Sequence, residues 1–375
     1  MEACITLVMS NKIKRKKVLI MTATGAYNLG DEIILTEELR FLQNHYGDAA
    51  EFTVFTYDKK SALVYDPSVN FVSYFPNNLF GKFFANIGYF FKNIWLIYRA
   101  DILIIGGGGI LFDNEPDVSF DLLLWQWYFR TKIARIAGTA IVYLGISLEI
   151  KMTKNKMKLS KIFKRGDFII LRDGKSYGIL EALEIPCSMI PDIAFLYQPE
   201  KLEKLPEKKR VGISVRGGFL GDTEVVITEI YAYLERNGYD PVFIVHTVSG
   251  DEAQNDSMFI KRIMTGKTYN ITGTLEQTMK VYPTLHSVIG MRFHSGVFAC
   301  IHDIPFLMIS YGPKTDELIK LLEFEEFVIR PEALNMERFV QLWNHLETNY
   351  ESRKNHMIAK HKQIRKDLIE KLETL

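Results

Sequence analysis

The chain has 375 residues, an apolar fraction of 47% and a formal net charge of +1. That length predicts two domains, each able to bury its own core. The near-neutral charge excludes the basic excess of a nucleic-acid binder, so any anionic ligand has to be held by a few placed cations.

At the N-terminus, the basic run 12–17 follows a short apolar stretch instead of preceding it, and no small-residue cleavage site appears. This does not read as a signal peptide. No apolar segment reaches the roughly 18 residues of a spanning helix. Cys4, Cys187 and Cys300 lie far apart without metal-ligand spacing, which predicts reduced thiols, no metal site and a cytoplasmic protein.

Short, continuously apolar runs then alternate with helical patterns. Strands are predicted at 17–23 (KVLIMTA), 51–56, 71–74, 101–106 (DILIIG), 139–145 and 167–171. Runs of this kind are buried on both faces, as in a parallel sheet covered by crossover helices. Between the third and fourth runs, residues 79–100 are rich in Phe, Tyr and Trp and include Lys82, Lys92 and Arg99. Such a helix suits a membrane interface as well as a protein core. The charged stretch 199–210, with Pro199 and Pro206, reads as a linker between an N-terminal domain (1–198) and a C-terminal one (211–345). Strands resume at 211–215, 241–246, 269–271, 287–291 and 305–309, and residues 346–375 form a terminal helix. The class is α/β: two open parallel-sheet, Rossmann-like domains with a cleft between them.

Ligands of such sheets bind beyond the carboxyl ends of the strands, so the loops there carry the chemistry. After the first strand come Gly25 and then Asn28-Leu29-Gly30-Asp31-Glu32, which opens a helix. The helix start can bind an anion, and Asp31 can equally serve as a cap. Gly106–Gly109 closes the strand DILIIG, with Asp113 shortly after and Asn114, Glu115 and Asp117 making the following loop acidic. Those glycines permit close passage of a ligand or of another segment. The run 171–176 (LRDGKS) lacks the first glycine of a phosphate loop, since Ile169 stands there.

In the second half, Ser214-Val215-Arg216-Gly217-Gly218 ends a strand with a cation followed by two permissive residues. Gly290-Met291-Arg292-Phe293-His294-Ser295-Gly296 places an arginine and a histidine two apart at a strand-to-helix junction. The guanidinium can fork onto a carboxylate or phosphate, and the imidazole can move a proton near neutral pH. Ser310-Tyr311-Gly312-Pro313-Lys314 follows the last strand and offers one more cation.

In their order and spacing these pieces resemble the polysaccharide pyruvyl transferase family. The resemblance rests on Asn28–Glu32, Gly106–Gly109, Arg172-Asp173 with Ser176, Asp192-Ile193-Ala194-Phe195 and Gly290–His294, and covers about residues 17–320. It implies a fold of the GT-B type. Phosphoenolpyruvate would be the donor and a sugar of a surface polysaccharide or its lipid-linked precursor the acceptor. The product would be a cyclic pyruvate ketal, with phosphate released and no cofactor required. It implies donor binding by Arg216, Arg292 and His294, with Lys314 assisting. Catalysis falls to His294 and Arg292, with Asp31 or Glu32 as base. Acceptor contacts fall to Asn28, Asp31, Gly107, Gly108 and Asp113. Phe293 is a departure, since many relatives have leucine there. Two alternatives stay open: a GT-B glycosyltransferase using a nucleotide sugar, with Glu317 toward the ribose, and a non-catalytic scaffolding subunit, which would have no need of the Arg216, Arg292 and His294 set. The expected setting is the cytoplasm, with peripheral contact at the inner membrane face through 79–100.

Overall fold

The computed structural model describes residues 15–59, 66–74, 83–113, 119–200, 206–248 and 254–374, with backbone alone for 83–87. The expectations for Cys4, for residues 79–82, for Asn114, Glu115 and Asp117, and for 201–205 of the linker lie outside the described residues. The chain divides into two compact units. The first runs through Gly25 and resumes over Leu35–Met189; the second comprises Ala26–Ile34 and Ile190–Leu375.

In chain order the first unit's strands and helices are β1 (Lys16–Met21), α1 (Leu29–Tyr46, whose first residues group with the second unit), β2 (Ala50–Thr56), β3 (Asn70–Ser73), α2 (Phe83–Arg99), β4 (Ile102–Phe112), α3 (Phe120–Ala137), β5 (Ala140–Glu149), α4 (Thr153–Lys158), α5 (Ser160–Phe163), β6 (Phe168–Leu171), α6 (Gly174–Glu181) and β7 (Ser188–Met189). All strand pairs are parallel, in the order β3-β2-β1-β4-β5-β6-β7. Val18 aligns with Phe52 on one side and Ile102 on the other. Leu19, Leu103, Ile105, Ile141 and Tyr143 are fully enclosed, as the apolar runs predicted.

The glycine run differs from its expectation. Gly106–Gly109 lies inside the eleven-residue strand β4 rather than closing it. Gly107 and Gly108 take φ of 57° and 106°, open to glycine at little cost, and the β4–β5 register shifts between Gly109 and Leu111. A Cβ on Gly106 would stand 2.5 Å from Glu38 Oε1, so the bare backbone makes room for that buried carboxylate. The Arg172-Asp173 motif also has a local physical account. Asp173 caps α6 by accepting from Ser176 N, and Ser176 Oγ in turn accepts from Leu148 N at 2.7 Å.

The second unit holds β8 (Arg210–Ser214), α7 (Glu224–Arg236), β9 (Asp240–Phe243), α8 (Asp256–Ile263), β10 (Asn270–Ile271), α9 (Leu275–Val281), β11 (Leu285–Gly290), α10 (Phe293–Ile301), β12 (Phe306–Ile309), α11 (Pro313–Leu322), β13 (Val328–Ile329), α12 (Met336–Thr348) and α13 (Tyr350–Glu373). Its sheet is also parallel throughout, in the order β10-β9-β8-β11-β12-β13. Strand order reverses between β8 and β11, and a doubly wound sheet offers its ligand crevice at the carboxyl ends of such a pair. The short helical turn Ile193–Leu196 is fully enclosed in this unit and packs on α10 and α13.

Candidate active site

The carboxyl ends of β8 and β11 are tied together by Met291 N, which donates to Ser214 O at 2.8 Å. Arg216 leaves β8 beside this tie, and its own amide donates to Met291 Sδ at 3.3 Å. The Arg216 guanidinium lies 4.8 Å from the Phe219 ring centre and 5.7 Å from that of Tyr311. Its Nη1 donates to the Tyr311 hydroxyl at 3.3 Å. Two aromatic rings thus hold the cation in place while neutralising little of its charge. Among the described residues Arg216 Nε is buried without a hydrogen-bond partner, an expensive state that an anion would relieve.

Arg292 occupies the position just before α10 and is held differently. Its Nε donates to Asp256 Oδ1 at 3.0 Å, its Nη2 contacts the same oxygen, and Nη2 also donates to Gln254 O at 2.6 Å. Asp256 Oδ2 accepts from the amides of His246 and Thr247. Burial raises the Asp256 carboxyl, and the ion pair with Arg292 opposes that rise. One edge of the guanidinium is therefore committed to the protein, and the pair is close to neutral. His246, at the end of the β9 run, bonds Tyr282 Oη through Nε2 at 2.8 Å. Burial, followed by the nearby His294 and Arg292, pushes its proton affinity well below the ordinary range, so it is a neutral ring.

His294 sits in the first turn of α10 against Gly30: a Cβ on Gly30 would stand 1.9 Å from His294 Nδ1. The only residue type that lets the ring lie there is glycine. His294 Nε2 is buried without a hydrogen-bond partner among the described residues, and it lies 3.7 Å from Asp192 Oδ2. Asp192 is itself fixed as the cap of the 193–196 turn, accepting from Ala194 N at 2.9 Å. The loop carrying Gly30 is stitched into the same unit. Asn28 bridges Thr247 in antiparallel fashion, Leu29 N donates to His246 O at 2.8 Å, and Val248 N donates to Tyr27 O at 3.2 Å. Asn28 Oδ1 accepts from Gly30 N, and Asp31 and Glu32 occupy the first turn of α1, where acidic side chains suit the helix dipole.

The second unit thus contains Asn28, Asp31, Glu32, Arg216, Arg292, His294 and Lys314. Lys314 is half-buried in the first turn of α11, just past β12, where strand-end reasoning expects it. Gly107, Gly108 and Asp113 belong to the first unit. The Asp113 carboxylate accepts from Lys151 N at 2.7 Å, Met152 N at 2.9 Å and Asn155 Nδ2 at 3.0 Å. Burial raises this carboxyl, but those donors outweigh burial and hold it below its usual value. Its contacts tie the end of β4 to the start of α4. Sequence reasoning gave no role to Asp192, His246 or Asp256. Asp192 stood within a motif carrying the resemblance, while the other two sit in no recognisable pattern and meet Arg292 only through the fold. No group of three or more His, Cys, Asp or Glu side chains placed to hold a metal occurs among the described residues.

Two all-parallel sheets of seven and six strands, the second with cationic side chains at its strand-order reversal, define a two-domain α/β protein of the GT-B type. Solved structures share this fold. A glycosyltransferase from Rickettsia africae is 14% identical, over 96% of this chain and 97% of its own, with a TM-score of 0.61. The UDP-GlcNAc 2-epimerase of Neisseria meningitidis bound to UDP-GlcNAc is 10% identical over 96% and 99%, at 0.59. The Anabaena protein HepE in complex with UDP-glucose is 13% identical over 96% and 100%, at 0.58. No curated protein matches the sequence. The family model for polysaccharide pyruvyl transferase matches residues 28–313, and the chain belongs to that family.

Proposed function

We propose that this enzyme transfers a pyruvyl group from phosphoenolpyruvate to a sugar of a surface polysaccharide or its lipid-linked precursor, forming a cyclic ketal and releasing phosphate. One observation carries the reading furthest. At the β8–β11 crevice, Arg216 Nε and His294 Nε2 are both buried and both lack hydrogen-bond partners among the described residues. A small, multiply charged anion supplies acceptors to both.

Arg216 carries more of the attraction for the donor than Arg292, because Asp256 offsets the charge of Arg292; Lys314 is assigned a supporting role. Arg292 then serves mainly as an oriented donor of hydrogen bonds. In the reaction, a sugar hydroxyl adds to the central carbon of phosphoenolpyruvate as the methylene carbon gains a proton. The hydroxyl's proton passes to a base. A second hydroxyl then attacks the same carbon and gives its proton to the base or to the departing phosphate, while the carbon–oxygen bond to phosphate breaks and phosphate leaves with the electron pair. His294 is assigned the proton delivered to the methylene carbon, or assistance to departing phosphate. Asp31 or Glu32 is assigned the base, with Asn28 positioning the sugar. The setting is the cytoplasm, with the acceptor carried at the membrane's inner face.

The test is phosphate release with mass detection of a pyruvylated glycan. Arg216→Ala and His294→Ala are expected to lose at least about a hundredfold in turnover, the size usual for a placed acid or a charge clamp. Near-normal turnover in both variants removes them from the mechanism. Thermal stabilisation by UDP-sugars and not by phosphoenolpyruvate would favour nucleotide-sugar transfer instead.

A further inference from the structure

Helices α2 and α3 pack against each other in the first unit and leave an unusual outer surface. On α2, Phe91, Trp95 and Tyr98 recur at i, i+4 and i+7 and are 63%, 53% and 58% exposed. On α3, Leu122, Trp125 and Ile136 are 54%, 55% and 72% exposed. The two rows join through stacked rings: Phe129 lies 5.7 Å from Phe90 across the helix pair and 5.6 Å from Trp125 along its own helix. Single exposed apolar side chains need no explanation, but a continuous aromatic surface on two helices marks a place of contact.

Cations predominate on the helices beside it. Helix α2 carries Lys92 and Arg99 and no acid. Helices α4 and α5 carry four lysines and no acid. Helix α3 carries three cations, of which Arg135 pairs with Asp167 at 2.8 Å, and a single acid, Asp121, which Lys158 of α4 pairs at 2.5 Å. The whole chain has a formal charge of only +1, so the excess on these helices is local. Among the described residues no helix is long and apolar enough to cross a membrane.

We propose that the outer face of α2 and α3, flanked by the lysines of α4 and α5, docks on the surface of an anionic lipid bilayer. Trp and Tyr present an apolar body and a polar tip, which fits the boundary between acyl chains and headgroups. Arg99 lies over the Trp95 ring at 5.1 Å, so its charge can reach headgroups while the ring goes deeper. A second copy of this chain is the poorer occupant. A twofold contact places the patch against itself and sets like charges facing one another. The surface deepens the proposed function by naming where a lipid-carried acceptor is met, yet its test reads binding without turnover.

Full-length protein is mixed with phosphatidylcholine vesicles, or with the same vesicles containing phosphatidylglycerol, and floated on a density gradient. Flotation is expected with the anionic vesicles, with weakening in high salt and a blue shift in tryptophan emission. The pair Trp95→Ser and Trp125→Ser is expected to abolish flotation. Lys154→Glu with Lys161→Glu is expected to weaken binding at least about 25-fold, at about fivefold per cation removed. All four positions are on the surface, and unchanged circular dichroism checks folding. Failure to float with anionic vesicles overturns the proposal. So does equal binding to neutral vesicles, or a dimer in solution that the tryptophan changes dissociate. Loss of pyruvyl transfer with flotation intact would sink the proposed function alone.

Discussion

Gly30 shows how one missing methyl group sets the site. The His294 ring occupies the space that a Cβ at position 30 would need, with Nδ1 only 1.9 Å from it. The residue lies in the first turn of α1, where alanine is the better helix former, so the glycine is retained against local propensity. Gly30→Ala is therefore expected to displace the imidazole and to cut turnover by at least about tenfold, while costing about 1–3 kcal/mol from overpacking. Steady-state kinetics beside thermal melts checks this; full activity in the variant would show that the ring position does not matter. Asp192 and Asp256 meet His294 and Arg292 in different ways. Asp192 approaches His294 from a fixed turn, and Asp256 takes up one edge of the Arg292 fork. The motif residues were legible because glycine, arginine and histidine at strand ends are rare enough to stand out. The pairings with carboxylates were not, because nothing in the residues around 192 or 256 encodes which side chain they will face.

Among the elements, most strands followed from continuous apolar runs, since a sheet buried on both faces leaves no polar alternation to misread. The two-residue edge strands β7 and β13 carry too little pattern to detect. The continuation of β4 through four glycines also escaped reading. Glycine ordinarily weakens a strand, and here the pairing with β5 carries the chain across Gly106, Gly108 and Gly109. Asp113 stands directly after this strand, with three donors on its carboxylate. Asp113→Ala is expected to lower stability by about 1.5–3 kcal/mol through loss of charge-assisted bonds. If its role is to join β4 to α4, the KM for the sugar stays unchanged and the melting temperature falls. A raised KM with normal stability would instead assign it to the acceptor.

At the scale of the whole molecule, two buried imidazoles make acid destabilising. Burial holds His302 down to about 3, and burial together with His294 and Arg292 holds His246 well below 6.5. Both rings stay neutral in the folded chain and take up protons near pH 6.5 once unfolded. Stability is thus complete above that value and falls as pH drops through it. Between pH 8 and pH 5 the loss is expected to reach about 4 kcal/mol for the two groups together. Urea unfolding across that range measures it, and a His302→Leu protein should show about half the slope; an unchanged slope would mean other groups carry the effect. The partition of the chain has a consequence for engineering. It passes between its two units at Gly25/Ala26, at Ile34/Leu35 and at Met189/Ile190. A half-enzyme cut at Ile190 would lack the backbone on which His294 rests. Recombining halves from different relatives will therefore succeed only when the nine residues 26–34 travel with the C-terminal donor parent.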